Sequence, residues 1–198
     1  MITPPQTNVA ALGSDKRRNL IPSSVLGMII FLFCEVMFFA GMISAHMITK
    51  ANAAGGIWPP PGSPMLPIEE TLLNTTILLA SGGALFMAHR ALRMDHPIFG
   101  RWLWAAVALG ITFVALQGRE WVALIDAGLT MTSSTHGSFF YFIVGTHGLH
   151  ALGALGFMVH MIVLSRAGRL QPPTFWAAEI FWYFVVGLWP LIFWQVYL

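Results

Sequence analysis

The sequence predicts an all-α membrane protein, a single transmembrane domain over residues 1–198 built as a bundle of five helices. Two properties of the chain support this fold class. Its residues are 57% hydrophobic and only 9% charged, whereas a soluble domain carries about 25% charged residues. Its apolar segments are also long enough to cross a hydrocarbon core of about 30 Å, which takes about 20 helical residues. The predicted spans are residues 24–49, 67–92, 101–124, 137–164 and 174–198.

The first span carries one carboxylate, Glu35, near its middle. A charge at that depth is costly, so the group should be protonated or paired, and the helix should not face lipid all round. The apolar run is longer than the roughly 7–15 residues of a signal peptide, so the span should be retained. Cys34, the only cysteine, permits no internal disulfide and is interpreted as a small buried apolar residue.

The second span follows a segment rich in Gly and Pro, residues 50–66, which cannot continue a helix. The third span closes with Gln117, Arg119, Glu120 and Trp121. We interpret this ending as an interfacial charge cluster with an aromatic anchor. Because neighbours in sequence do not face each other on a helix, Arg119 and Glu120 should each have a partner elsewhere.

The fourth span contains His147 and His150, which lie three residues apart and so project from one side of the helix. Counted by helical rise, His147 and Glu35 lie at comparable depths near the midplane. We therefore expect a buried Glu–His contact between the first and fourth spans, because it would satisfy two groups that are costly in hydrocarbon. Such a contact would be either a proton-handling pair or a structural polar clasp.

Two alternatives concern cofactors bound by these histidines. A metal site of Glu35, His147 and His150 is geometrically conceivable. A bis-histidine haem site would need histidines at matched depth on facing helices, and only the fourth span offers histidines near the midplane. The fifth span is rich in aromatic residues.

The distribution of lysine and arginine predicts a cytoplasmic N-terminus and an outside C-terminus, because cytoplasmic segments carry the excess of these residues. Eight of the ten fall in the inner segments: Lys16, Arg17, Arg18, Arg90, Arg93, Arg101, Arg166 and Arg169. The five inner arginines from Arg90 onward either hold anionic lipid head groups or serve only as topology determinants. Without a basic stripe on one face, nucleic-acid binding is not predicted.

Four segments in order carry a family resemblance: FCEVMFFAGMISAH at residues 33–46, LLNTTILLASGGALFMAHRAL at 72–92, Leu-Gln with Glu120 at 116–120, and GSFF followed by HGLH at 137–150. Together they resemble subunit III of the haem–copper terminal oxidases, such as cytochrome c oxidase. The match covers nearly all of the chain after residue 20.

This resemblance implies a noncatalytic subunit that packs beside catalytic subunit I and the other oxidase subunits. The haem and copper would belong to the partner subunits, with none in this chain. Such a subunit would bind phospholipid, support proton uptake and protect the catalytic centre from inactivation during turnover. Five helices are similar to the shorter bacterial form, which lacks the family's first two helices and lies in the cytoplasmic membrane.

Carried over to this sequence, Glu35 is the family's buried carboxylate, and His147 and His150 are its paired histidines. Further polar residues of the family motifs are Asn74, His89, Gln117 and Glu120.

The last span departs from the family pattern, which reads Trp-His-Phe-Val-Asp-x-x-Trp. Here Tyr183 replaces the His and Val186 replaces the Asp. We expect Glu179, one turn before Tyr183, to substitute for part of the lost polar contact. The electron donor of the partner is left open between cytochrome c and quinol, and a nitric oxide reductase accessory protein is a related alternative. Rivals from other classes are a stand-alone proton or small-solute transporter built around Glu35 and a dihaem-type cytochrome.

Overall fold

The computed structural model describes residues 22–53 and 56–198, and this part of the chain forms five α-helices. They are α1 (Ser23–Ala51), α2 (Ile68–Arg93), α3 (Phe99–Asp126), α4 (Thr135–Arg166) and α5 (Pro172–Tyr197). Each is long and apolar enough to cross a membrane. The predicted fold class is confirmed, and the predicted spans end within two residues of the observed helices. The basic run Lys16, Arg17 and Arg18 lies outside the described residues.

Local signals in the sequence fix several helix ends. The Ser134 hydroxyl accepts a hydrogen bond from the backbone N–H of Gly137 and so caps the start of α4. Helix α5 begins with Pro172, a residue well suited to the first helical turn because its φ is already fixed and no N–H is lost there. The turn between α4 and α5 contains Gly168 at φ 66°, a left-handed conformation that glycine adopts without strain.

Contacts between helix ends show that successive helices run in opposite directions. The Ser24 hydroxyl at the start of α1 donates to the Pro173 carbonyl at the start of α5, at 3.3 Å. Arg119 near the end of α3 lies 3.4 Å from Glu70 at the start of α2. We call the end of the bundle where α1, α3 and α5 begin the arginine-rich end, and the opposite end the loop end. The arginine-rich end carries Arg90, Arg93, Arg101, Arg166 and Arg169.

Helix α5 lies at the centre of the packing, in contact with α1, α2 and α4, while α2 and α3 form a closely packed hairpin. Two tryptophans of α5, Trp182 and Trp189, are fully buried. Gly110 of α3 makes room for Trp182, because a Cβ at that position would lie 2.7 Å from both Trp182 and Leu155. Close approach of helix backbones at small residues is the usual way in which transmembrane helices pack.

Helix α1 lies at the edge of the bundle and packs on α5 and, to a smaller extent, on α4. Most of its apolar side chains are exposed, including Phe33 and Met37. Cys34 belongs to this surface and is exposed, so the prediction that it is buried is wrong. The reason is that only one side of α1 has helical neighbours, and Cys34 points away from them.

Candidate functional site

Glu35 and His150 form a polar contact between α1 and α4. The Oε2 atom of Glu35 lies 3.0 Å from Nε2 of His150, and the two side chains are 18% and 13% exposed. The rings of Phe39, Phe181 and Phe184 surround the imidazole in edge-to-face arrangements. The structure thus brings the first and fourth spans together through a Glu–His contact, and His150 is the histidine that makes it.

The hydrogen bonds of His150 determine how many protons this pair holds. Its Nδ1 atom lies 2.8 Å from the carbonyl oxygen of Thr146, one turn earlier on α4. A carbonyl only accepts, so Nδ1 carries a hydrogen. Nε2 then either accepts a hydrogen from a protonated Glu35 or donates one to its carboxylate. In both arrangements one proton lies between the two side chains, and without it the contact would set two acceptors against each other.

His147 does not join this contact. Its ring stacks on Trp189 with 4.9 Å between the ring centroids and meets the edge of Phe113 at 6.4 Å. Three residues on an α-helix are separated by about 60° of rotation, which is enough to turn His150 toward α1 and His147 toward α3 and α5. The conceivable metal site of Glu35, His147 and His150 is therefore not assembled. Among residues 22–53 and 56–198, no three His, Cys, Asp or Glu side chains converge to hold a metal ion.

A second polar cluster joins α2, α3 and α5 at the loop end, and we call it the loop-end network. The Glu120 carboxylate accepts from the hydroxyl of Tyr197 at 2.7 Å and from that of Thr71 at 3.0 Å. The Gln117 amide donates to Tyr197 at 3.2 Å and accepts from Asn74 at 3.2 Å. All five side chains are buried.

The loop-end network differs from the interfacial cluster expected at the end of the third span. Glu120 is 4% exposed and faces the bundle. Arg119 turns outward and pairs with the exposed Glu70, so each of the two neighbours does have its own partner. Trp121 is half-buried, and its indole contacts α4 beside Gly145 and Gly148 instead of anchoring the helix at the surface.

A third contact, between His89 of α2 and Glu179 of α5, lies near the arginine-rich end. The Nδ1 and Oε2 atoms are 2.7 Å apart, and Glu179 is buried. Glu179 thus supplies a polar contact on the last helix, as expected from the sequence. Val186, at the position where the family carries Asp, packs instead on Gly82, where a Cβ would lie 3.2 Å away.

The five arginines of the arginine-rich end are all exposed. Arg101 and Arg166 line a cavity of about 510 Å³ between the start of α3 and the end of α4. The guanidinium of Arg166 lies 5.3 Å from the ring centroid of Trp104, a cation–π distance. Arg90 lines a smaller groove of about 170 Å³ with Trp102.

Two features of the loop end were missed by sequence reasoning. The buried rings of His46 and His136 both pack on Trp58, at centroid distances of 5.6 and 5.3 Å. Tyr197 completes the loop-end network from the last turn of α5. No spacing in the sequence signals either feature, because both depend on how distant segments meet.

The family model for cytochrome c oxidase subunit III matches residues 14–198. The chain belongs to the cytochrome c oxidase subunit III family. It is 32% identical to the probable cytochrome c oxidase subunit 3 of Nocardia farcinica, over 98% of this chain and 96% of that protein. It is 35% identical to cytochrome c oxidase subunit 3 of Ornithorhynchus anatinus and 34% identical to that of Dasypus novemcinctus, in both cases over 86% of this chain and 67% of the relative.

Family membership confirms the resemblance carried by the sequence motifs. The chain is thus a subunit III of a haem–copper oxidase, part of an oxidoreductase complex with other oxidase subunits. Its five spanning helices make it a multi-pass membrane protein.

Proposed function

We propose that this subunit packs beside catalytic subunit I and supports proton uptake by the complex through the Glu35–His150 pair. The haem and copper of the reaction lie in the partner subunits, and this chain carries no redox centre of its own. Its single transmembrane domain sits in the bacterial cytoplasmic membrane, with the arginine-rich end and the N-terminus in the cytoplasm. The observation that carries this proposal is the 3.0 Å contact between Oε2 of Glu35 and Nε2 of His150, which requires a proton between the two atoms.

The depth of Glu35 and His150 in the membrane supports a role for this proton. Glu35 lies twelve residues from the start of α1 and sixteen from its end, and His150 lies fifteen and sixteen residues from the ends of α4. Both groups are therefore near the middle of helices that cross the membrane, where ionisable groups are rare and typically mark proton or ion pathways. A proton shared by two such groups keeps the net charge of the pair at zero in either arrangement.

The position of the pair at the edge of the bundle supports exchange of this proton. Helix α1 has helical neighbours on one side only, so Glu35 is screened by α4 and α5 but is not enclosed. A partner subunit seated against α1 and α4 would bring its own polar groups or bound water within reach. The pair is thus placed to accept and release a proton at the border between this subunit and its neighbour.

The exposed arginines support the proposed orientation and a lipid site. Positive residues collect on the cytoplasmic side of membrane proteins. Arg101, Arg166 and Trp104 line one cavity and offer two guanidinium groups and an aromatic ring near this end of the helices. This arrangement suits the phosphate of an anionic phospholipid, because arginine binds phosphate through paired hydrogen bonds.

The substitution Glu35→Gln tests the proposal in the intact complex. The glutamine amide can still donate to Nε2 of His150, so assembly should be normal, but it offers no transferable proton. We expect the variant complex to complete several-fold fewer turnovers before inactivation than wild type. Glu69→Gln, at an exposed position of α2, is the matched control and should behave as wild type. Equal turnover numbers for both variants would leave the pair as a structural clasp only.

Purification distinguishes this function from the transporter alternative. A subunit III should copurify with haem-bearing polypeptides, whereas a stand-alone transporter should move substrate after reconstitution alone. The isolated chain should show no Soret absorption, and a stoichiometric band would contradict the absence of a redox centre. The donor used by the purified complex, cytochrome c or quinol, then follows from steady-state oxygen consumption with each.

A further inference from the structure

Residues 56–67 cross the loop end of the bundle before α2 begins, and we call them the strap. Within the described residues, the hydrogen bonds of the strap join it only to itself and to neighbouring positions of the chain. Ile57 and Pro59 are exposed, whereas Trp58 between them is half-buried. Trp58 is therefore the side chain by which this part of the strap docks on the helices.

Trp58 contacts two buried histidines that belong to different helices. Its ring lies 5.6 Å from the ring of His46, near the end of α1, and 5.3 Å from the ring of His136, in the first turn of α4. The two histidines are 1% and 2% exposed. Phe139 of α4 also packs on His46, with 5.6 Å between the ring centroids. The docked strap thus covers the seam between α1 and α4 at the loop end.

The two histidines lie on the same faces of their helices as the Glu35–His150 pair. Eleven residues separate Glu35 from His46, which is close to three helical turns. Fourteen residues separate His136 from His150, which is close to four turns. The cluster under the strap therefore belongs to the same α1–α4 seam as the pair and lies about 16–21 Å nearer the loop end.

The docked strap requires both imidazoles to be neutral. No ring nitrogen of His46 or His136 has a hydrogen-bond partner among the described residues, and each nitrogen is shielded from water. An imidazolium carries a charge and two N–H donors. Burial of such a group without a partner is strongly unfavourable, so a proton on either ring works against the docked arrangement.

The surroundings of the cluster oppose protonation further. Within the described residues, the titratable groups that act on its rings are the two histidines themselves and Lys50, one turn after His46. All three are cationic when protonated, so each disfavours a proton on the others. Neither the strap nor the loop before α4 contains a titratable side chain. The carboxylates of Glu69 and Glu70, in the first turn of α2, are exposed and do not compensate this charge.

We propose that the strap is a proton-sensitive closure of the α1–α4 seam. While His46 and His136 are neutral, Trp58 stays docked and covers the loop end of the seam. When the two histidines take up protons, the charged rings must reach water, so Trp58 is displaced and the seam opens. The released rings bind more protons than the docked rings, and a fall in pH therefore favours release.

Hydroxyl-radical footprinting of the purified oxidase complex at pH 7.5 and pH 5.5 tests this closure. Oxidation of Trp58 is mapped by mass spectrometry and normalised to Met131, which is 52% exposed in the loop before α4. A histidine in water has a pKa of about 6.5, so each titrating histidine raises the released fraction about tenfold between these two pH values. We expect at least tenfold more Trp58 oxidation at pH 5.5. This readout does not depend on the proton role of the Glu35–His150 pair.

Neutral substitutions assign the effect to the two histidines. In the double variant His46→Gln with His136→Gln, Trp58 oxidation should be equal at the two pH values. His96→Gln, at an exposed histidine of the arginine-rich end, is the matched control and should keep the wild-type response. If the double variant does not assemble, Lys50→Gln takes its place. Loss of this ammonium should move the midpoint of strap release to higher pH.

Three outcomes would overturn the proposal. One is Trp58 oxidation that does not change with pH. Another is a rise that persists in the double variant, or a midpoint that Lys50→Gln leaves unmoved. The third is a parallel rise in oxidation of the buried Trp182 and Trp189, which would show acid unfolding of the whole bundle instead of release of the strap.

Discussion

The loop-end network and the Glu35–His150 pair are both polar contacts between helices, but they differ in the number of hydrogen bonds to the carboxylate and in its exposure. In the network, Glu120 accepts from two hydroxyls, and Tyr197 both donates to Glu120 and accepts from Gln117. Glu120 is 4% exposed and lies at the junction of three helices. Within the described residues the Glu35 side chain has one hydrogen-bond partner, His150, and it is 18% exposed at the edge of the bundle.

This difference separates two uses of a buried carboxylate. The network ties α2, α3 and α5 together through one buried carboxylate, so it fixes how these three helices meet. A single contact at an edge leaves lone pairs free for a neighbour, so it can exchange a proton without disturbing the packing. We therefore propose that the network serves stability and that the pair handles a proton.

The largest effect on stability is expected for Glu120→Leu. This substitution removes the carboxylate that accepts hydrogen bonds from the hydroxyls of Tyr197 and Thr71. The hydroxyl of Tyr197 is then left without an acceptor. It should lower the free energy of unfolding by about 2–3 kcal/mol, at the upper end of the cost of unpaired buried groups. The measurement is the thermal loss of this subunit from the detergent-solubilised complex. Glu69→Leu, at an exposed position of α2, should leave the free energy of unfolding within about 0.5 kcal/mol of the wild-type value.

Tyr197→Phe should have a smaller effect. It removes one hydrogen bond to Glu120 and one from Gln117 while the ring packing on Phe140 and Phe193 is kept. We expect a loss of about 1–2 kcal/mol in the same thermal assay. In the double variant with Glu120→Leu, the loss of unfolding free energy should be smaller than the sum of the two single losses, because both substitutions remove the same hydrogen bond. Full additivity would show that Tyr197 and Glu120 act independently.

The smallest effect on stability is expected for Glu35→Gln. The amide can replace the carboxyl as a donor to His150, whose Nδ1 keeps its bond to Thr146. The free energy of unfolding should change by less than about 0.5 kcal/mol, half of the net contribution of an ordinary hydrogen bond. A loss as large as that of Glu120→Leu would remove the distinction between the two regions and make the pair a second structural clasp.

The helices were predictable because the membrane leaves little choice. A chain in hydrocarbon must satisfy its backbone within each segment, so long apolar runs become helices. Polar breaks such as the Gly- and Pro-rich segment 50–66 then set their ends. The comparable depths of Glu35 and His147 followed from the helical rise alone, and a contact between the first and fourth spans could be expected from those depths.

The rotation of each helix about its own axis, and the helices that pack against it, could not be predicted in the same way. The spacing of His147 and His150 places them on one side of α4, but only the packing of α1 and α3 decides which histidine meets Glu35. The exposure of Cys34 depends on α1 having neighbours on one side only. The burial of Glu120 likewise depends on Tyr197, 77 residues later, reaching the same end of the bundle.

The rate of proton uptake by the assembled complex tests the central claim most directly. Stopped-flow measurement with a pH-sensitive dye should give a several-fold slower uptake in the Glu35→Gln complex than in wild type, at equal haem content and equal thermal stability. A Glu69→Gln complex should take up protons at the wild-type rate. Uptake in Glu35→Gln that matches wild type would contradict the assignment of proton handling to the Glu35–His150 pair.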